Sequence, residues 1–300
     1  MNAAEYKKEI YVNPNGKGDF TSIVASLEAI RAYMDYEVTV HIANGVYNEK
    51  VIVPSWLKNV RFIGEDRDKT IIRCNDYAGR DNMGTFRTYT VRVDGDDITF
   101  ENLTIENFAG PIGQAVALHT EGDRLMFVNC RFLGNQDTVF TGGERTRLYF
   151  DKCYIEGTTD FIFGAATAVF KDCEIYCNSD SYITAASTTE DTEYGYIFDN
   201  CTINASDKVT KMYLGRPWRP YGYTVFIDCK MEAPIRTEGW HNWNNPDNEK
   251  TARYGEYGSK GTYGDMSKRV SWSHVLSPGE VADCRNFDKV FKGWKPRTIE

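Results

Sequence analysis

A short phrase recurs through the middle of the chain and limits what it can fold into. It is an apolar run ending in Phe, then a polar residue, then Cys three places after the Phe. Copies occur at Phe127 to Cys130, Phe150 to Cys153, Phe170 to Cys173, Phe198 to Cys201 and Phe226 to Cys229, and an earlier one after Phe100 carries Leu103 in the Cys place. Two residues beyond the Cys place stands another apolar side chain: Ile105, Phe132, Ile155, Ile175, Ile203 and Met231. Each copy alternates like a short strand. The copies lie 20 to 28 residues apart with no helix-length segment between them, which excludes βαβ units. One coil of a solenoid has this period. The expected fold is all-β, a single right-handed parallel β-helix over residues 1–300, with Phe stacked on Phe and Cys on Cys inside the cylinder. Five of the eight cysteines are thereby core residues, reduced thiols rather than disulfides. Cys74, Cys177 and Cys284 fall outside the phrase and receive no role.

An open end of such a cylinder exposes unpaired strand edges, so caps are expected. Residues 20–33 carry apolar residues at 23, 24, 27 and 30, with Thr21 or Ser22 placed to cap, and predict an N-terminal capping helix. The tail after Trp272 is expected to fold back over the opposite end, with C-terminal loops and a helix packed on the cylinder. Residues 244–268, rich in Gly, Asn, Tyr and charge, read as a long surface loop.

The chain has a net charge of -8, which argues against nucleic-acid binding, where a basic patch or a high pI is usual. No apolar run approaches the roughly 18 residues that span a bilayer, so no membrane partner is expected. There is no Cys-x-x-Cys pair, and His41, His119, His241 and His274 are scattered without ligand spacing, so neither metal nor cofactor is expected. Met1 to Lys8 hold no apolar leader core, which points to a cytoplasmic protein, or to a secreted one whose leader has been removed. A solenoid of this size is expected to be monomeric.

A solenoid turns sequence period into spatial adjacency, so polar residues that keep the period mark a site. Gln114, Asp137 and Asp160 are each 23 residues apart, and both aspartates stand ten residues after a repeat Phe. Stacked on neighbouring coils, the carboxylates would lie about 5 Å apart. Two acids so close do not both ionise easily; one pKa rises and the other stays low, pairing a general acid with a nucleophile. The bland alternative is a pair of solvated aspartates. Against it stand Gln136 beside Asp137, Phe163 beside Asp160, and Leu214-Gly215-Arg216-Pro217-Trp218, which supplies a guanidinium and an indole. Arg216 beside one aspartate would keep it charged, and Trp218 could stack on a sugar ring.

With these motifs in order, the chain resembles the pectin methylesterases, carbohydrate esterases of the parallel β-helix fold. The resemblance runs through Gly45-Val46-Tyr47-Asn48-Glu49, Gln114 to Leu118, Gln136-Asp137-Thr138, Asp160 to Gly164, Leu214 to Trp218, and the stretch from Gly239 to Tyr257. It implies hydrolysis of galacturonate C6 methyl esters in pectin or methylated oligogalacturonides. It implies Asp160 as nucleophile, Asp137 as general acid and then base, and Gln114 and Gln136 as oxyanion donors. It also implies that Arg216 holds Asp160 and that Trp218 and Phe163 line sugar subsites. Thr159 and Ala165 depart from the family's frequent Val and Asn and bear on subsite preference.

Two rivals use the same residues differently. Carboxylates about 5 Å apart also suit a retaining glycoside hydrolase. The two glutamines and the arginine favour ester chemistry, because an oxyanion needs donors and an oxocarbenium ion does not. A pectate lyase would need an acidic calcium site, and no such cluster is seen. The second rival is a non-enzymatic carbohydrate-binding β-helix.

Overall fold

The computed structural model describes residues 6–297. The first five residues, part of the segment read as lacking a leader, lie outside the described residues. Among those described, the chain winds into three parallel sheets of 11, 7 and 8 strands. Each strand pairs in parallel with its counterpart one coil on, as Leu125–Val128 does with Arg147–Asp151, Val139–Thr141 with Ile162–Gly164, and Tyr154–Gly157 with Glu174–Cys177. This is the β-helix that the repeat predicts. One apolar core runs from Ile10 to Tyr254.

The repeated phrase is the corner between the 11-stranded and the 8-stranded sheets. The residue two places after each Phe turns the chain in the left-handed region: Asn102 (φ 53°), Asn129 (49°), Lys152 (52°), Asp172 (53°), Asn200 (56°) and Asp228 (52°). Asn and Asp tolerate this conformation better than most residues, which explains the polar place in the phrase. Each corner N–H donates to the next coil, as from Asn129 to the Asp151 carbonyl at 2.9 Å and from Asn200 to that of Ile227 at 2.9 Å, so pairing continues around the bend.

The Phe rings stack as expected, with centroids 4.5–5.7 Å apart and planes within 17° from Phe100 to Phe226. Phe62 adds a further ring, 4.7 Å from Phe100. Its coil goes unseen in the sequence because Gly64, not an Asx residue, follows two places later. The cysteine ladder is buried and its thiols are free. Each thiol of the ladder also donates to the Phe carbonyl of the coil before, from Cys153 to Phe127 at 3.3 Å and from Cys201 to Phe170 at 3.3 Å. Of the unassigned cysteines, Cys177 is buried in the core, where desolvation pushes its thiol well up, while Cys74 is partly exposed and Cys284 sits in the tail.

Three expectations at the ends need correction. The N-terminal helix, α1, covers Ile23–Leu27 rather than residues 20–33. Ser22 caps it, accepting from the Ala25 N–H, and Glu49 accepts from the N–H groups of Ile23 and Val24. Beyond Leu27 the bonds tighten to i−3, from Ala29 to Ser26 and from Ile30 to Leu27, and the chain turns across the cylinder end while Ile30 and Met34 stay buried. The 244–268 stretch is not all loop. Arg253–Tyr257 is a strand of the 11-stranded sheet, paired with Tyr223–Ile227. Its charge hid it, because Glu256 is buried and bonded at 2.6 Å to Arg269.

The tail, finally, packs on the cylinder as expected but does not close the far end. Its strand His274–Val275 extends the sheet, and helices α2 (Pro278–Cys284) and α3 (Phe287–Val290) then lie along the flank. There Leu276, Val281, Val290 and Phe291 cover Val169, Ile197, Val225 and Ile227, an apolar outer row that only a covering element can keep from water. At the far end itself, Trp240, Tyr254 and Trp272 pack together over the last coil.

Candidate active site

The 7-stranded sheet carries the site. Asp137 and Asp160 stand two residues before the paired strands Val139–Thr141 and Ile162–Gly164, with Val139 level with Ile162, so the aspartates occupy equivalent places on adjacent coils. Both turn in the left-handed region, at φ 67° and 48°. The Asp137 N–H donates to the Thr159 carbonyl at 3.1 Å and the Asp160 N–H to that of Tyr182 at 2.8 Å. Phe161 and Ile162 are fully buried and anchor the turn that presents Asp160.

All seven residues singled out in the sequence, Gln114, Gln136, Asp137, Asp160, Phe163, Arg216 and Trp218, line one cleft of about 280 Å³. One register differs from expectation. Gln114 is level with Gln136, not with Asp137. Equal spacing misleads here because the connections between coils vary in length. Among the described residues, neither glutamine side chain has a hydrogen-bond partner, which leaves two amide donors free beside the carboxylates. Both aspartates are buried, at 8% and 6% exposure.

Arg216 donates twice to Asp160, from Nε to Oδ1 at 2.9 Å and from Nη2 to Oδ2 at 2.6 Å. Gly215 makes this possible: a Cβ there would sit 2.0 Å from the Thr184 hydroxyl, so only glycine lets the Arg216 backbone pass. Among the described residues, Asp137 has no cation of its own. Burial, and then the neighbouring Asp160 charge, push its pKa up to about 8, with Arg216 opposing from farther off. Burial raises Asp160 as well, contrary to the expectation that it stays low, but the two bonds and the charge of Arg216 pull against that rise. The pair is therefore asymmetric, with the proton favoured on Asp137 and the negative charge on Asp160.

Thr85, Phe86, Ala185 and Trp243 complete the cleft and were not identified from the sequence. Phe86 lies outside the repeat, on a short 3-10 turn (Thr85–Arg87), its ring 4.8 Å from Phe140 and 6.5 Å from Trp218. Trp243 could have been found: it lies within the Gly239–Tyr257 stretch already noted, three residues after Trp240.

The pectinesterase family model matches residues 9–290. The chain belongs to the pectinesterase family. As a pectinesterase it is a carboxylic ester hydrolase on a right-handed parallel β-helix. It is 37% identical over 283 residues to pectinesterase 31 of Arabidopsis thaliana, covering 91% of this chain and 89% of that protein. Among solved structures, the pectin methylesterase from carrot superposes with a TM-score of 0.89 at 29% identity, over 98% of this chain and 95% of the other. A pectin methylesterase in complex with a hexasaccharide gives 0.84 at 28% identity, over 99% and 100% of the two chains.

Proposed function

We propose that this pectinesterase hydrolyses the C6 methyl esters of galacturonate units in pectin or in methylated oligogalacturonides, releasing methanol. The observation that carries the reading is the asymmetric carboxylate pair, one aspartate clasped by Arg216 and the other without a cation. Asp160, ionised, attacks the ester carbonyl carbon. The tetrahedral oxyanion takes hydrogen bonds from the Gln114 and Gln136 amides. As the intermediate collapses, the C–O bond to methoxide breaks, Asp137 gives the methoxide its proton, and an acyl anhydride remains on Asp160. Asp137, now a carboxylate, takes a proton from water, the resulting hydroxide cleaves the anhydride, and both aspartates return to their starting states. Phe163 and Trp218, 5.8 Å apart and edge-to-face, offer an aromatic wall to sugar rings. Every group used in these steps comes from one chain, which supports action as a monomer.

The test is incubation with highly methylated pectin and, in parallel, with short methylated oligogalacturonides. Methanol release with falling pH and no new reducing ends is expected. New reducing ends would instead mean glycoside hydrolysis, and no reaction on either substrate would leave a binding protein. Asp160→Ala should lower turnover by on the order of 10⁴-fold.

A further inference from the structure

The Arg216 guanidinium lies between two rings. Its central carbon is 3.8 Å from the centroid of Tyr182 and 3.7 Å from that of Trp243. A two-bond clasp on a carboxylate requires the two planar groups to share a plane, and a rotated guanidinium keeps at most one of the bonds. Rings on both faces block that rotation, and each attracts the cation.

Tyr182 is itself braced. The Tyr213 ring stacks on it at 5.2 Å and 9°, and Arg236 lies over Tyr213 at 4.8 Å. The His241 ring contacts both tyrosines, at 5.4 and 5.2 Å. Its Nδ1 accepts from the Trp243 N–H at 3.0 Å, which secures the opposite jaw. Tyr182 also reaches the other half of the pair, because its carbonyl accepts the Asp160 N–H at 2.8 Å. Yet it does not line the cleft. It approaches from the next coil, behind the reacting groups.

We infer that Tyr182 is a positioning residue of the ester hydrolysis, its ring and that of Trp243 clamping Arg216 in the plane of the Asp160 carboxylate. This rests on Asp160 being the nucleophile. The titratable and charged groups around the clamp are Asp137, His241, Arg236, Tyr213 with Glu238 near it, and the buried Tyr254. Loss of the ring frees the guanidinium to turn and leaves the Asp160 anion less supported, so Asp160 gains its proton at higher pH.

The test compares Tyr182→Leu, Tyr182→Ala and Tyr182→Phe, all of which keep the backbone carbonyl. In the Leu and Ala variants kcat should fall by on the order of ten- to a hundredfold with KM nearly unchanged. The acid limb of kcat/KM should move up by about one pH unit. The Phe variant should match wild type, since the ring and not the hydroxyl acts. If the Ala variant fails to fold, the Leu and Phe comparison carries the test. An unchanged kcat and acid limb in folded Tyr182→Leu overturns the inference, as does a rise in KM alone, or a Phe variant as impaired as Leu. Titration of the Asp160 carboxyl by ¹³C NMR needs no substrate: an upward shift in Leu but not in Phe supports the clamp even if wild type releases no methanol, and no shift overturns it.

Discussion

Asp137 and Asp160 are the same residue type in equivalent places on adjacent coils, and the difference between them lies in Arg216. The guanidinium comes from 56 residues beyond Asp160 and bonds to that carboxylate alone of the two. The proposed mechanism uses this charge separation, with Asp160 ionised and Asp137 protonated, so kcat/KM for methanol release should be bell-shaped. It should fall on the alkaline side as pH rises through about 8, where Asp137 loses its proton, and on the acid side as Asp160 gains one. The same shift acts on stability. Asp137 titrates near 8 when folded, against an ordinary 3.8, so the folded state holds an extra proton between these values. Its contribution is full below about 4 and is lost as pH rises through 8. Asp137→Asn has no such loss. Urea unfolding should therefore find it gaining on wild type between pH 5 and pH 9, by on the order of a few kcal/mol, while activity disappears.

At the scale of the coil, the corner and the stacked rows carry the fold. Phe150 lies mid-stack, 4.7 Å from Phe127 and 4.6 Å from Phe170, and is fully buried. Phe150→Ala should cost about 3–5 kcal/mol by equilibrium denaturation. Lys152 is the one corner residue of the six that is neither Asn nor Asp, at φ 52°. Lys152→Asn should stabilise by about 0.5–1 kcal/mol in the same assay, because Asn adopts this backbone more readily. Strands within the repeat were legible in the sequence because a regular alternation recurs at each coil. Arg253–Tyr257 was not, since a buried Glu256 reads as surface until its partner Arg269 is known. Capping helix α1 was legible in its apolar spacing and its Ser22 cap, but not in its length, which the tightening turn after Leu27 decides.

For the molecule as a whole, the tail is a cover for the flank. Arg285 on the tail bonds to Asp199 and Asp228, and the Arg147 side chain donates to the Phe291 carbonyl. Truncation before Leu276 should expose Val169, Ile197, Val225 and Ile227 and strip Asp199 of one cation. Increased dye binding to apolar surface and aggregation on mild heating are the expected readouts. The sequence by itself determined the inward rows of Phe and Cys from Phe100 to Cys229 and the level placing of Asp137 and Asp160, because a solenoid converts spacing along the chain into adjacency in space. Gln136, Phe163, Arg216 and Trp218 were legible only as motifs. The tertiary structure alone decided which aspartate keeps the proton, that Gln114 sits level with Gln136, that Phe86 and Trp243 close the cleft, and which face of the cylinder the tail covers. Each of these depends on burial, or on contacts between segments far apart in the chain whose separation follows no period.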